Sequence, residues 1–147
     1  MKLINNKIAE DLEGLIKLNL DVLSGYKSAA EKLRDKNLKE VFIIYIQRLS
    51  EYVNELKKEE TDWTGNKNNY IPQELILSKS KIDEITILKA CDDLEEKSIK
   101  KYETLFDEEV PISIKEILLK QYNGIKELQL HMRSLEDQYC FFPNILS

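Results

Sequence analysis

Apolar residues recur every three or four positions along nearly the whole chain of 147 residues. This spacing places them on one face of an α-helix, and it is typical of amphipathic helices that bury that face. The chain has only four glycines and three prolines, together about 5% of the residues where roughly 12% is usual. A sandwich or barrel needs more turns than these residues supply. The sequence therefore predicts an all-α fold.

Four stretches carry the helical pattern, and polar or charged residues separate them. The predicted helices cover residues 5–34, 38–60, 81–106 and 112–138. The pattern disappears over residues 61–80, which contain Gly65 and Pro72 and a predicted short helix over residues 71–77. Four amphipathic helices bury their apolar faces best against one another. We therefore expect a single domain, residues 1–147, folded as a four-helix bundle.

The lengths of the connections predict the order in which the helices are joined. Short links after the first and third helices favour two antiparallel hairpins. Residues 61–80 form a much longer connection, which is long enough to run the ~33 Å length of a helix of about 22 residues. One long crossover between two hairpins is the ferritin-like topology. A simple up-down-up-down bundle with a long loop is the alternative.

Polar side chains at core spacing are the candidate functional residues. Glu95 lies seven residues from both Leu88 and Tyr102, on the apolar face of the third helix. A buried carboxylate is costly unless it is paired or protonated, so Glu95 needs a partner. That partner is expected to be Arg48, or tyrosine hydroxyls together with Gln121 and Asn19. The predicted buried polar network therefore consists of Asn19, Arg48, Glu95 and Gln121. A metal or small-ligand pocket on the same residues, and a Glu95 that reaches solvent, are the alternatives.

The single histidine, His131, limits the metal chemistry that the bundle can hold. A di-iron carboxylate bundle uses a Glu-x-x-His motif on each of two helices, whereas Leu128 stands three residues before His131. A standard dinuclear site is therefore not encoded, and no cofactor is expected. A carboxylate-only or mononuclear site remains a hypothesis, with the candidate ligands Glu31, Glu51 and Glu95. The chain also lacks the Gly-x-Ser-x-Gly and phosphate-binding motifs of common enzymes.

Charge and hydropathy indicate the kinds of partner to expect. The net charge is -5, and the basic residues are interleaved with acidic ones. No apolar run approaches the ~20 residues that cross a bilayer. We expect neither a nucleic-acid nor a membrane partner, and a cytoplasmic location with Cys91 and Cys140 reduced. The aromatic tail, residues 139–146, is expected to cover one end of the bundle. Self-association through this tail or the bundle edge would give a homodimer.

Two groups of residues have a distinctive spacing: Gly25-Tyr26 followed by Glu31, and Cys91 followed by Glu95 and Tyr102. They resemble an uncharacterised bacterial family of the ferritin-like superfamily, over roughly residues 10–138. The resemblance implies a four-helix bundle in which Arg48 and Glu95 occupy family positions. The family's fourth-helix histidine corresponds to Gln129, and its His-Arg-x-Trp-like connector has no counterpart here. The resemblance therefore implies the fold and no metal function.

These features predict a non-enzymatic interaction or stress-associated module, built as a ferritin-like bundle without an intact di-iron site. The alternative is a degenerate metal-binding or oxidoreductase-like carboxylate bundle protein, with Glu95 among the ligands. A third hypothesis is a small-ligand binder with a pocket around Glu95 and Gln121.

Overall fold

A computed structural model of the protein describes residues 4–70 and 84–141, with side chains up to residue 138. Its elements are four α-helices: α1 (Asn6–Lys32), α2 (Lys36–Thr64), α3 (Glu84–Phe106) and α4 (Ile112–Phe141). The described residues contain no strand, so the predicted all-α fold with four helices is confirmed. Over the same residues, no helix combines the length and the apolar character that a membrane span requires.

Capping residues fix where the first two helices begin. The Asn5 side chain accepts a hydrogen bond from the backbone N–H of Ile8 at 2.8 Å, and Asp35 accepts one from Leu38 at 3.0 Å. Each cap satisfies a backbone donor that has no partner within the helix. At the other end of α2, Gly65 has a φ of 75°, a left-handed conformation that glycine adopts at little cost. The chain therefore leaves α2 sharply at Gly65.

The second helix is longer than the apolar pattern predicts. It ends at Thr64 and not at the predicted residue 60, because the buried core continues past the charged residues 57–60. Glu60 is buried there, and Trp63 packs against the core. α4 similarly continues to Phe141, beyond the predicted residue 138. The predicted short helix over residues 71–77, the remainder of the crossover to residue 80, and the tail beyond residue 141 lie outside the described residues.

The contacts between helices show how the four surround one core. α1 packs against α2 and α3, and α4 packs against α3 and, less extensively, against α2. Within the described residues, no Cα atom of α1 lies within 8 Å of one in α4, and none of α2 lies within 8 Å of one in α3. α1 therefore lies diagonally opposite α4, and α2 lies diagonally opposite α3. The core between them is filled by aliphatic side chains and by five aromatic ones, Tyr26, Phe42, Tyr45, Tyr52 and Tyr102.

Pairs of contacting side chains give the relative directions of neighbouring helices. Contacting pairs between α1 and α3 include Asp11 with Lys101 and Tyr26 with Glu95, and Arg34, two residues after the end of α1, pairs with Glu84 at the start of α3. The pairs between α2 and α4 are Tyr45 with His131 and Glu55 with Lys120. In both sets the residue number rises along one helix as it falls along the other. α1 and α3 therefore run in opposite directions, and so do α2 and α4.

Gly124 allows α4 to approach α2 closely. A Cβ atom on residue 124 would overlap the hydroxyl of Tyr52 and would lie 3.1 Å from its ring atom Cζ. Glycine costs a helix interior about 1 kcal/mol relative to alanine. The space next to Tyr52 therefore explains why glycine is used within α4.

We expect Gly124→Ala to lower the free energy of unfolding by about 1–2 kcal/mol, because the added methyl group must displace a well-buried tyrosine. Tyr52→Phe removes the overlapping oxygen, so Gly124→Ala should cost less in that background, or should stabilise the helix. Urea denaturation of the four proteins in this double-mutant cycle measures the coupling. The same cost of Gly124→Ala in both backgrounds would contradict the close approach.

Candidate functional site

A chain of hydrogen bonds crosses the middle of the core and joins all four helices. Ser98 of α3 donates to Oδ1 of Asn19 on α1, and Nδ2 of Asn19 donates to the Tyr102 hydroxyl at 2.8 Å. Tyr102 donates to Oε1 of Gln121 on α4 at 2.6 Å. Nε2 of Gln121 then donates to the backbone carbonyl of Tyr52 on α2 at 3.1 Å. We call this arrangement the interior chain.

The interior chain is buried, and its hydrogen bonds follow one another in a single direction. Its four side chains, Asn19, Ser98, Tyr102 and Gln121, are at most 1% exposed. Burial raises the pKa of Tyr102, so its hydroxyl remains a donor. Consecutive hydrogen bonds polarise one another, and an unpaired buried donor or acceptor would be costly. The interior chain therefore favours the one helix register in which every link forms.

Glu95 lies in the same core but outside the interior chain. It is 0% exposed, its Oε1 accepts a hydrogen bond from the Tyr26 hydroxyl, and no described residue bonds to its Oε2. Burial raises the pKa of Glu95 to about 9, opposed by nearby Arg133 and reinforced by Glu136. The Glu95 carboxyl is therefore protonated and uncharged at neutral pH.

Arg48 is not the partner of Glu95 in the structure. Its guanidinium carbon lies 6.0 Å from the centre of the Tyr45 ring, and no hydrogen bond or ion pair joins it to Glu95 among the described side chains. The arrangement of the helices accounts for this, since α2 and α3 are diagonally opposite and have no pair of Cα atoms within 8 Å of each other. The expected pairing with Arg48 is therefore wrong. A tyrosine hydroxyl, the other expected kind of partner, takes its place.

The structure divides the predicted polar network into separate parts. Asn19 and Gln121 belong to the interior chain, Glu95 bonds to Tyr26, and Arg48 lies beside Tyr45. The sequence analysis expected tyrosine hydroxyls near Glu95, but it named neither Ser98 nor the bonds of Tyr102 to Asn19 and Gln121. A usable signal was present, because Ser98 lies three residues after Glu95 and four before Tyr102, on the core face of α3. Buried tyrosine hydroxyls also require partners.

The candidate metal ligands do not share a site. Glu31 and Glu51 are exposed, whereas Glu95 is buried. His131 is exposed as well, and its Nδ1 is hydrogen-bonded to the Tyr45 hydroxyl. Within the described residues, no group of three histidine, cysteine, aspartate or glutamate side chains is placed to hold a metal ion.

Cys91 lies one turn before Glu95 and is also buried as a free thiol. Burial raises the pKa of its thiol to about 12, with further contributions from Asp92 and Glu136. The reactive form of cysteine is the thiolate, so Cys91 is unreactive at neutral pH. Cys91 is therefore a small residue of the core.

Comparison of the sequence with protein-family models finds no matching family, and comparison with curated proteins finds no similar sequence. The function is therefore inferred from the structure itself: from the interior chain, the neutral Glu95 and the outer faces of the helices.

Proposed function

We propose that the protein is a ferritin-like helical bundle without a di-iron site, and that it acts as a non-enzymatic interaction module. One observation carries this proposal. In a di-iron carboxylate bundle, inward-facing side chains of all four helices supply glutamate and histidine ligands. In the middle of this bundle Asn19, Ser98, Tyr102 and Gln121 bond to one another, and Glu95, a glutamate buried in the same core, bonds to the Tyr26 hydroxyl. Their hydrogen-bonding groups are therefore used within the core and are not arranged as metal ligands.

The directions of the helices support the ferritin-like connectivity. α1 runs opposite to α3, and the three residues between α1 and α2 suit an antiparallel pair, so α2 and α3 point the same way. An up-down-up-down bundle would instead make α1 and α3 parallel. Residues 65–83 join α2 to α3. They reach about 60 Å when extended, and α3 is only about 35 Å long. A crossover along the bundle is thus within reach.

The surfaces of α2 and α4 support an interaction role. All the exposed large apolar side chains of the described residues lie on these two helices: Ile43, Ile44, Ile112, Leu119 and Leu130. Exposed apolar side chains that gather on one side of a protein are typical of a surface that binds a partner. We therefore expect the partner, including a second copy in a cytoplasmic homodimer, to bind on the side formed by α2 and α4.

Elemental analysis tests the part of this proposal that concerns metal. The full-length protein is expressed with iron, manganese and zinc supplied, alongside Glu95→Gln and the control Glu40→Gln, which changes an exposed glutamate of α2. We expect all three proteins to contain far less than one metal ion per chain. Stoichiometric metal that Glu95→Gln loses and Glu40→Gln keeps would favour the metal-binding alternative.

Light scattering after size-exclusion chromatography tests the interaction surface. We expect the wild-type protein to have the mass of a dimer, and Ile44→Lys or Leu130→Lys to shift it towards the monomer, because a lysine would be buried without a partner. Thr104→Lys adds the same charge at an exposed position of α3 and should leave the mass unchanged. A wild-type protein that is monomeric at every concentration would contradict the homodimer.

A further inference from the structure

Two carboxyl groups meet where the start of α1 lies beside the turn that joins α3 to α4. Nζ of Lys7 lies 3.1 Å from Oε1 of Glu108, which belongs to that turn. One helical turn later, on the same face of α1, Asp11 accepts a hydrogen bond from Nζ of Lys101 at 2.8 Å. Asp11 and Glu108 are close enough for one carboxyl group to donate a hydrogen bond to the other. The pair therefore links the start of α1 to the end of α3.

Both carboxyl groups are largely shielded from solvent. The side chain of Asp11 is 16% exposed and that of Glu108 is 10% exposed. When both groups are ionised they can only accept hydrogen bonds, and no described residue donates one to Oδ2 of Asp11 or to either oxygen of Glu108. Buried acceptors without a donor are costly, and a proton held between the two groups supplies the missing bond. The arrangement therefore favours one shared proton.

The surroundings of the pair indicate which group carries this proton. The cations that face it are Lys7 on α1 and Lys101 on α3, one beside each carboxyl group. The hydrogen bond with Glu108 is the largest influence on Asp11 and lowers its pKa, although burial opposes this effect. Burial, followed by the bond with Asp11, raises the pKa of Glu108, and Lys7 opposes this rise. Glu108 is therefore the donor and Asp11 the acceptor.

We propose that Asp11 and Glu108 share one proton and form a pH-sensitive latch, which holds the first turns of α1 against the end of α3. When the proton is lost to water, two like charges remain at close range and repel each other. The pKa of Glu108 is higher in the closed latch than its ordinary value of 4.5, so the latch is strongest in mild acid and weakens as the pH rises through the raised value. Asp11 is ionised throughout this range, because its pKa lies below the ordinary 3.8.

Opening of the latch changes what the bundle presents to solvent. Ile8 and Leu12 lie on the same turns of α1 and are buried in the closed structure. Loosening of these turns exposes both apolar side chains as the pH rises. The inference does not depend on the proposed interaction role, since neither carboxyl group of the latch belongs to α2 or α4.

Hydrogen exchange of individual backbone amides, followed by NMR in the full-length protein, tests the latch. Glu108→Gln is the main variant, because its side-chain amide donates a hydrogen bond to Asp11 at every pH. Glu109→Gln removes a charge from the neighbouring, exposed position and is the matched control. Proteins that are compared at the same pH have the same intrinsic exchange rates and the same ionisation of Glu95.

The amides of Asp11 and Leu12 are expected to exchange at nearly the same rate in the wild type and in Glu108→Gln near pH 4.5. Near pH 7.5 they should exchange at least about threefold faster in the wild type, because only the wild type has lost the latch proton. Glu109→Gln should follow the wild type at both pH values. Equal rates in the wild type and Glu108→Gln at both pH values would overturn the proposal. Equal effects of the two variants would also overturn it, since they would indicate a general effect of surface charge.

Carbon NMR of the side-chain carboxyl groups gives a second test, on the wild-type protein itself. Two groups that share a proton titrate together, so the signals of Asp11 and Glu108 should each change in the same two pH steps. A single step for each group, at the ordinary values of 3.8 for Asp11 and 4.5 for Glu108, would overturn the proposal. This measurement also decides the matter if circular dichroism shows that Glu108→Gln does not fold.

Discussion

Glu95→Gln is expected to remove most of the pH dependence of stability between about pH 4.5 and pH 9. The pKa of Glu95 is raised from 4.5 to about 9 in the folded protein. Between these values the folded state holds a proton that the unfolded chain has lost, so the free energy of unfolding falls as the pH rises. Each rise of one pH unit in this window lowers the free energy of unfolding by up to about 1.4 kcal/mol. At pH 7 the total decrease is about 3 kcal/mol.

Glutamine avoids this loss of stability because it is neutral at every pH. Its amide oxygen can still accept the hydrogen bond that the Tyr26 hydroxyl donates. Urea denaturation of the wild-type protein, Glu95→Gln and the exposed control Glu51→Gln is measured from about pH 5 to about pH 8. We expect Glu95→Gln to match the wild type near pH 5 and to become the more stable protein as the pH rises. A difference that stays constant with pH would mean that Glu95 is ionised in the fold.

Tyr102→Phe is expected to lower the free energy of unfolding by about 2–4 kcal/mol, because it removes the middle of the interior chain. Nδ2 of Asn19 loses its acceptor and Oε1 of Gln121 loses its donor, in a core that water does not reach. Tyr122→Phe is the matched control, because its hydroxyl bonds to Glu103 at an exposed position. We expect the control to cost less than about 1 kcal/mol.

Chemical denaturation measures the free energy of unfolding of both tyrosine variants. A double variant separates the effect of the lost hydrogen bonds from the effect of lost packing. Adding Asn19→Leu to Tyr102→Phe removes one of the polar groups left without a partner, so part of the stability should return. The hydroxyl of Ser98 can then bond to the backbone carbonyl one turn earlier. Equal effects of Tyr102→Phe and Tyr122→Phe would show that the interior chain contributes little to stability.

These two expected results give the polar core a structural role. Tyr102 and its partners hold the four helices in one register, and Glu95 is kept uncharged by burial. Because the buried hydrogen bonds fix the relative positions of the helices, they also fix the arrangement of the side chains on the outer surface. We therefore expect a binding partner on the side formed by α2 and α4.

The sequence by itself determined the helices and the depth of several polar residues. A helix places residues three, four and seven apart on one face, so local spacing was sufficient to predict four helices. The same rule put Asn19, Glu95 and Gln121 on core faces, and all three are buried. The rule was less reliable at the end of α2, because the charged residues 57–60 suggested an exposed helix end although Glu60 is buried.

Only the tertiary structure decided which polar groups meet. Spacing within a helix states which face is buried, but it does not state which neighbour covers that face. α2 and α3 lie diagonally opposite each other, whereas α1 adjoins α3 and places the Tyr26 hydroxyl against Glu95, so the partner of Glu95 is Tyr26 and not Arg48. The links from Ser98 through Asn19 and Tyr102 to Gln121 depend in the same way on how the helices are placed. Partners of buried polar groups are set by packing between helices, which no single helix encodes.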